Sequence, residues 1–122
     1  MIYYLRYINI LKDLRNDNSS LDLLPVSALI LNEIAVREMQ ENPMTVSDVM
    51  GLTKLASSAT LHRKFSQMLN DEWVTTSFQN NNRRTKYIQL TMKSKSYYEL
   101  KGKAMKKALR LASSRNKVKN FR

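Results

Sequence analysis

Between Ser57 and Asn70 the side chains able to donate hydrogen bonds gather on one side of a helix. Projected at about 100° per residue, Leu61, Phe65, Met68 and Leu69 cluster on one face, while Ala59, Thr60, Arg63, Lys64, Ser66 and Gln67 lie around the other. The apolar set is expected to be buried. The outward set joins a forked guanidinium, a carboxamide and a hydroxyl to small residues, Ser58 and Ala59, that permit close approach. Such groups match fixed donor and acceptor patterns on a polar edge; they are poorly suited to breaking bonds. Arg63 stands opposite the apolar centre with Thr60 and Gln67 beside it, and His62 and Lys64 lie toward the rims. A second basic set follows: Arg83 and Arg84 come straight after three asparagines, and Lys86 comes two residues later.

Enzyme chemistry has little to stand on. Gly51 and Gly102 are the only glycines, so no glycine-rich phosphate loop exists, and no nucleophile elbow is present. Asp71 and Glu72 are adjacent but fall at a helix-to-strand corner, where they read as solvated turn residues. With no cysteine and a single histidine, His62, neither a thiolate site nor a histidine cage can form. The expectation is therefore a non-enzyme without metal or cofactor. No apolar run approaches the roughly 18 residues of a membrane span, and MIYYLRYINILKDL has neither the early basic region nor the small-residue cleavage site of a secretory signal. A cytoplasmic protein without membrane contact is expected.

The elements that must position these side chains can be read outward from them. Thr45 and Asp48 have the spacing of a capping box and open a short helix ending near Gly51. A turn follows, and Ser57 or Ser58 caps the next helix, which runs to about Asn70. Val46, Val49, Leu52 and Leu55 are expected to pack this helix-turn-helix pair together. Residues 73–78 and 86–90, rich in Val, Thr, Phe, Tyr and Ile, read as two strands; the intervening QNNNRRT is a hairpin tip. Upstream, Pro25 begins a helix to about Gln40, with Leu24, Ala28, Leu31, Ala35 and Met39 expected to face the core. Residues 2–15 form a helix apolar over most of its circumference, with Arg6, Asn9 and Asp13 as a narrow polar stripe. Such a helix needs cover on more than one side, which points to dimerisation through Tyr4, Leu5, Ile8 and Leu11, the alternative being a central core helix. NDNSSLD (16–22) reads as a polar loop. A last helix, 92–112, has one seam of Tyr97, Leu100, Ala104, Ala108 and Leu111 and a second of Tyr98, Met105, Leu109 and Ala112. The first seam, through Tyr97, Leu100, Ala104 and Leu111, completes the expected dimer contacts. Residues 113–122 read as a basic flexible tail.

The fold expected is mainly α with a small β-hairpin wing: a winged helix-turn-helix (44–91) within a single domain (1–112), flanked by dimerisation helices 1–15 and 92–112. The 122 residues carry a net charge of +11, distributed as −3 over 1–53, +4 over 54–92 and +10 over 93–122. That asymmetry implies a polyanionic partner, and the order helix, turn, helix, basic hairpin implies double-stranded DNA. The recognition helix, 57–70, would enter the major groove, with Arg63 pairing guanine O6 and N7 and with Thr60 and Gln67 flanking it. His62 and Lys64 would meet phosphates. The wing, 78–86, would lie at the minor groove or backbone, with Arg83 and Arg84 at its tip and Lys86 on a phosphate. A rival reading is a non-specific architectural protein using the basic C-terminal helix. A third is a protein-interaction module that retains the fold and engages a different partner through the first helix.

Thr45-Val46-Ser47-Asp48, Ala59-Thr60-Leu61-His62-Arg63, the corner Asp71-Glu72-Trp73-Val74, the wing Asn81-Asn82-Arg83-Arg84 and the return Ile88-Gln89-Leu90-Thr91 follow in an order and spacing that resemble the MarR family of winged-helix regulators. The resemblance covers residues 44–95 well and the flanking helices by position. It implies a homodimeric, sequence-specific transcriptional regulator that binds an inverted repeat, its terminal helices interlocked. The chain departs from the family at Glu72, which stands where relatives have glycine, so that turn is expected to take another conformation. Asn81 and Asn82 replace aspartates, and the turn between the two helices is about one residue longer. Many relatives respond to a small-molecule effector; no residue pattern in this shorter chain supports one.

Overall fold

The computed structural model describes residues 1–17, 22–79 and 82–118. In chain order the elements are α1 (Ile2–Asp17), α2 (Pro25–Met39), α3 (Val46–Met50), α4 (Ser58–Asn70), β1 (Val74–Gln79), β2 (Asn82–Leu90) and α5 (Met92–Val118). The expected architecture, mainly helical with one antiparallel hairpin, is the one observed. Two boundaries move. Asn16 and Asp17 extend α1, and α5 continues through Val118, six residues beyond the expected end at Ala112; the rest of the loop reading (18–21) and of the tail (119–122) lies outside the described residues. The chain divides into two compact units, residues 23–95 and residues 1–22 with 96–122.

In the 23–95 unit, α2 starts at Pro25, whose missing N–H costs nothing in a first turn. Its buried stripe is Ser27, Ile30, Leu31 and Ile34, which corrects the expected set: Leu24 is 62% and Met39 76% exposed. The sequence from Val26 to Val36 is apolar on nearly every side, so periodicity does not fix which face turns inward. Tertiary packing does, and the same face carries Glu38 onto the hairpin, where its Oε1 accepts the Leu90 N–H at 2.8 Å.

Both α2 and α4 end in the same way. Asn42 N–H bonds Arg37 O (2.9 Å) and Glu41 N–H bonds Glu38 O (3.0 Å); one corner later, Trp73 N–H bonds Met68 O (2.9 Å) and Glu72 N–H bonds Leu69 O (3.2 Å). These are Schellman pairs, and each requires a left-handed residue just past the helix. Glu41 (φ 59°) and Glu72 (φ 62°) supply it. The expectation that Glu72 forces another turn is thus overturned: the residue adopts the conformation glycine would favour, because two orphan carbonyls gain donors and Trp73 is buried.

Thr45 caps α3 reciprocally with Asp48, whose Oδ2 accepts the Thr45 N–H (3.0 Å) while Thr45 Oγ1 accepts the Asp48 N–H (3.2 Å). Val49 is fully buried; Val46, Leu52 and Leu55 are half-buried. Just before α3, Ile88 N–H bonds Met44 O (2.8 Å) and Thr45 makes an isolated antiparallel bridge to Tyr87, tying this segment to the hairpin. This pairing is not visible in the sequence pattern.

The unit of 1–22 and 96–122 joins α1 to the later turns of α5. Leu11, Tyr97, Ala104 and Ala108 are buried there. Burial raises the pKa of Tyr7, Tyr97 and Tyr98 above the ordinary phenolic value and lowers that of Lys101, whose Nζ sits 4.9 Å from the Tyr97 ring centroid. Of the expected polar stripe, Asn9 and Asp13 are exposed, but Arg6 is half-buried and its Nη1 is buried without a hydrogen-bond partner.

Candidate nucleic-acid interface

Helix α4 is held at both ends. Ser57, not Ser58, is its cap: Ser57 Oγ accepts the Thr60 N–H at 3.2 Å and donates to Thr60 Oγ1 at 3.0 Å. At the far end the first turn of α5 clasps the corner. Thr91 Oγ1 donates to Glu72 O (2.7 Å), Ser94 Oγ donates to Trp73 O, and Lys93 Nζ donates to Asp71 O (3.0 Å) while lying 4.5 Å from the Trp73 ring centroid. Ser94 is fully buried. The last carbonyls of the α4 corner are therefore satisfied by side chains that the sequence reading did not single out.

Between these anchors Leu61, Phe65 and Met68 turn inward. Leu69 does not: at 37% exposure it stands at the edge of the buried face, since three residues at spacings of four and three already fill the contact. Burial of that stripe presents Ser58, Ala59, His62, Arg63, Ser66 and Gln67 outward and exposed, with Thr60 and Lys64 half-buried. Thr60 is partly committed to the cap, which fixes its hydroxyl oxygen and leaves its proton to be donated. Helix α3 is tied to α2 by Arg37, whose Nη2 is 3.5 Å from Asp48 Oδ2 and whose Nε donates to Asn42 O at 2.8 Å.

The wing differs from expectation in one respect. Residues pair from Val74 with Leu90 to Phe78 with Lys86, then the register jumps so that Gln79 meets Asn82. Arg83, Arg84 and Thr85 are extra residues on the β2 side. The arginines therefore sit in a bulge on a strand, not at the loop tip, because β2 begins at Asn82 instead of Lys86. Both are exposed. With Thr45, Val46, Ser47, Phe78 and Lys86 they line an open cleft of about 430 Å³. Lys86 Nζ lies 5.8 Å from the Phe78 ring centroid. Three cations around a polar cleft attract an anionic chain. Sequence spacing gave no sign that the start of α3 shares this cleft; the Met44–Thr45 pairing to β2 creates it. The α4 residues are not part of its lining.

Of the residues expected to face a second protomer, Leu11, Tyr97 and Ala104 are buried within the chain, and Ile8 and Leu100 are half-buried. Tyr4 is 64% and Leu5 51% exposed, and the Leu111 side chain lies outside the described residues. Among the described residues no cluster of His, Cys, Asp or Glu could hold a metal ion, and no helix is long and apolar enough to cross a membrane.

A short helix, a turn, a second helix with an outward polar face, and a hairpin paired to the segment before the first define a winged helix-turn-helix. Solved structures share this arrangement. Transcriptional regulator Tm0710 from Thermotoga maritima aligns at a TM-score of 0.65 over 91% of this chain and 72% of its own, with 17% identity. RV1404 from Mycobacterium tuberculosis aligns at 0.57 over 93% and 84%, with 10% identity. At such identities the likeness is one of fold. No protein-family model and no curated protein matches the sequence.

Proposed function

We propose that this protein is a transcriptional regulator of MarR type that binds double-stranded DNA as a homodimer and reads its sequence with α4. The observation that carries the reading is α4 itself: a helix anchored at both ends whose free face presents Arg63, Gln67, Ser58 and Ala59. An end-anchored helix holds donors in fixed register, which base readout requires. Arg63 takes guanine, Thr60 and Gln67 the neighbouring positions, and His62 and Lys64 the flanking phosphates. Arg83, Arg84 and Lys86 place the wing on the backbone or minor groove. The likeness to a protein named as a transcriptional regulator agrees with this reading. Two copies related by a two-fold axis would present two such helices to half-sites about one DNA turn apart.

Selection of bound duplexes from a random pool at near-physiological salt tests it. A two-fold symmetric site should be enriched, and Arg63→Ala should weaken binding to that site by about 1–3 kcal/mol while relaxing preference at one base position. A pool that stays random although the protein binds it would refute sequence reading.

A further inference from the structure

Most of the charge lies away from the recognition elements. The unit of 23–95, with α3, α4 and the wing, carries a net +3, and the unit of 1–22 and 96–122 carries +8. Helix α5 concentrates it. Lys103, Lys106, Lys107 and Arg110 occupy positions i, i+3, i+4 and i+7, and all four are exposed. Lys103, Lys106 and Arg110 face away from Tyr97, Ala104 and Ala108, which are buried, and Lys107 stands at the flank.

A merely solvated helix face mixes acids with bases four residues apart, because opposite pairs stabilise it. From 92 to 118 the only acid is Glu99, exposed on the same side of the helix four residues before Lys103, so the stripe carries one favourable pair. The pairs 103–106, 103–107, 106–110 and 107–110 are all like-charged, and each disfavours the helix. The excess positive charge left in this stripe attracts a polyanion.

We propose that Lys103, Lys106, Lys107 and Arg110 form a second nucleic-acid contact that grips the phosphate backbone of duplex DNA without reading its sequence. Neighbouring side chains on a helix stand about 5–6 Å apart, and a duplex presents a negative charge every ~1.7 Å along its axis, so each cation finds a phosphate. The stripe has no amide to read a base edge and no aromatic ring to stack on one. A lipid surface fits less well: of the apolar face that such a helix would bury in lipid, Tyr97, Ala104 and Ala108 are buried in protein, and the exposed Met105 and Leu109 beside the stripe line a groove with Tyr3, Tyr4 and Tyr7 of α1. The contact stands whether or not α4 reads bases.

The test compares the full chain with a Lys103→Gln, Lys106→Gln, Lys107→Gln, Arg110→Gln variant on a random-sequence duplex across a salt series. The slope of log affinity against log salt should fall by about 3 to 4, at roughly 0.9 per lost phosphate contact, with at least about a tenfold loss of affinity. The thermal midpoint should hold or rise, because the like-charged pairs are gone. An unchanged slope in the quadruple variant overturns the proposal. Loss of binding to phosphatidylserine vesicles with the duplex slope unchanged would overturn it in favour of a lipid surface. Failure to enrich a symmetric site, with the slope reduced as expected, would remove base reading by α4 and leave this contact intact.

Discussion

Glu72 shows how a single residue is held against its own preference. A side chain at φ 62° crowds its backbone, costing roughly 1–2 kcal/mol that glycine avoids. The Schellman bonds from Trp73 and Glu72, the buried Trp73 ring and the Thr91 hydroxyl on Glu72 O together hold it there. Glycine would remove the crowding and lose some of the gain to its freer unfolded chain, about 0.5–1 kcal/mol. Glu72→Gly should therefore stabilise the protein by about 0.5–1 kcal/mol, read as a higher urea midpoint with an unchanged slope. A lower midpoint would mean that the Glu72 side chain contributes contacts that outweigh its strain. The sequence marked this residue as unusual but not its conformation, because local preference and the hydrogen-bond demand of a helix end pull in opposite directions. Arg63 is the contrary case: its outward placement follows from Leu61, Phe65 and Met68 alone, and those were legible.

Among the elements, legibility follows amphipathicity. Helix α4 has one apolar stripe and one polar face, so its orientation was readable up to Leu69. Helix α2 is apolar almost all round, and its phase is set by what packs on it. The hairpin was readable as a hairpin, but neither its bulge nor its bridge to Thr45 was, since neither is marked by local sequence preference. Glu38 joins these two illegible elements. It ends the inward stripe of α2 and accepts the part-buried N–H of Leu90, fixing the close of β2 where the chain passes into α5. Removing the acceptor strands that donor, at a cost of about 1–3 kcal/mol. Glu38→Ala should lose that much stability and speed hydrogen exchange at Leu90, whereas Glu38→Gln, which keeps a carbonyl oxygen in place, should lose less than half as much. Equal losses in the two variants would show that the Glu38 charge matters and not its acceptor.

At the scale of the whole molecule, the 1–22 and 96–122 unit leaves apolar surface uncovered, which favours a second copy. Tyr3, Tyr4, Tyr7, Met105, Ala108 and Leu109 line an apolar groove of about 290 Å³ between α1 and α5. Tyr4, Leu5, Met105 and Leu109 are each more than half exposed. Contiguous apolar surface of this kind is uncommon on a protein that acts alone, and α1 was legible as under-covered because its polar stripe is so narrow. Pairing two chains of +11 is opposed by their charge, so the two proposed associations should respond to salt in opposite directions. Dimerisation through the apolar surface should tighten as salt screens the repulsion, while DNA binding should weaken as released counterions lose their advantage. Sedimentation velocity should give twice the mass of one chain, with a dissociation constant that falls between about 0.05 and 0.5 M salt. Tyr4→Glu with Leu109→Glu should yield a folded monomer that still binds random duplex through α5 but has lost its advantage for a symmetric site. A wild-type chain that remains monomeric at all salt concentrations would refute the dimer, and base reading by α4 would then be confined to single half-sites.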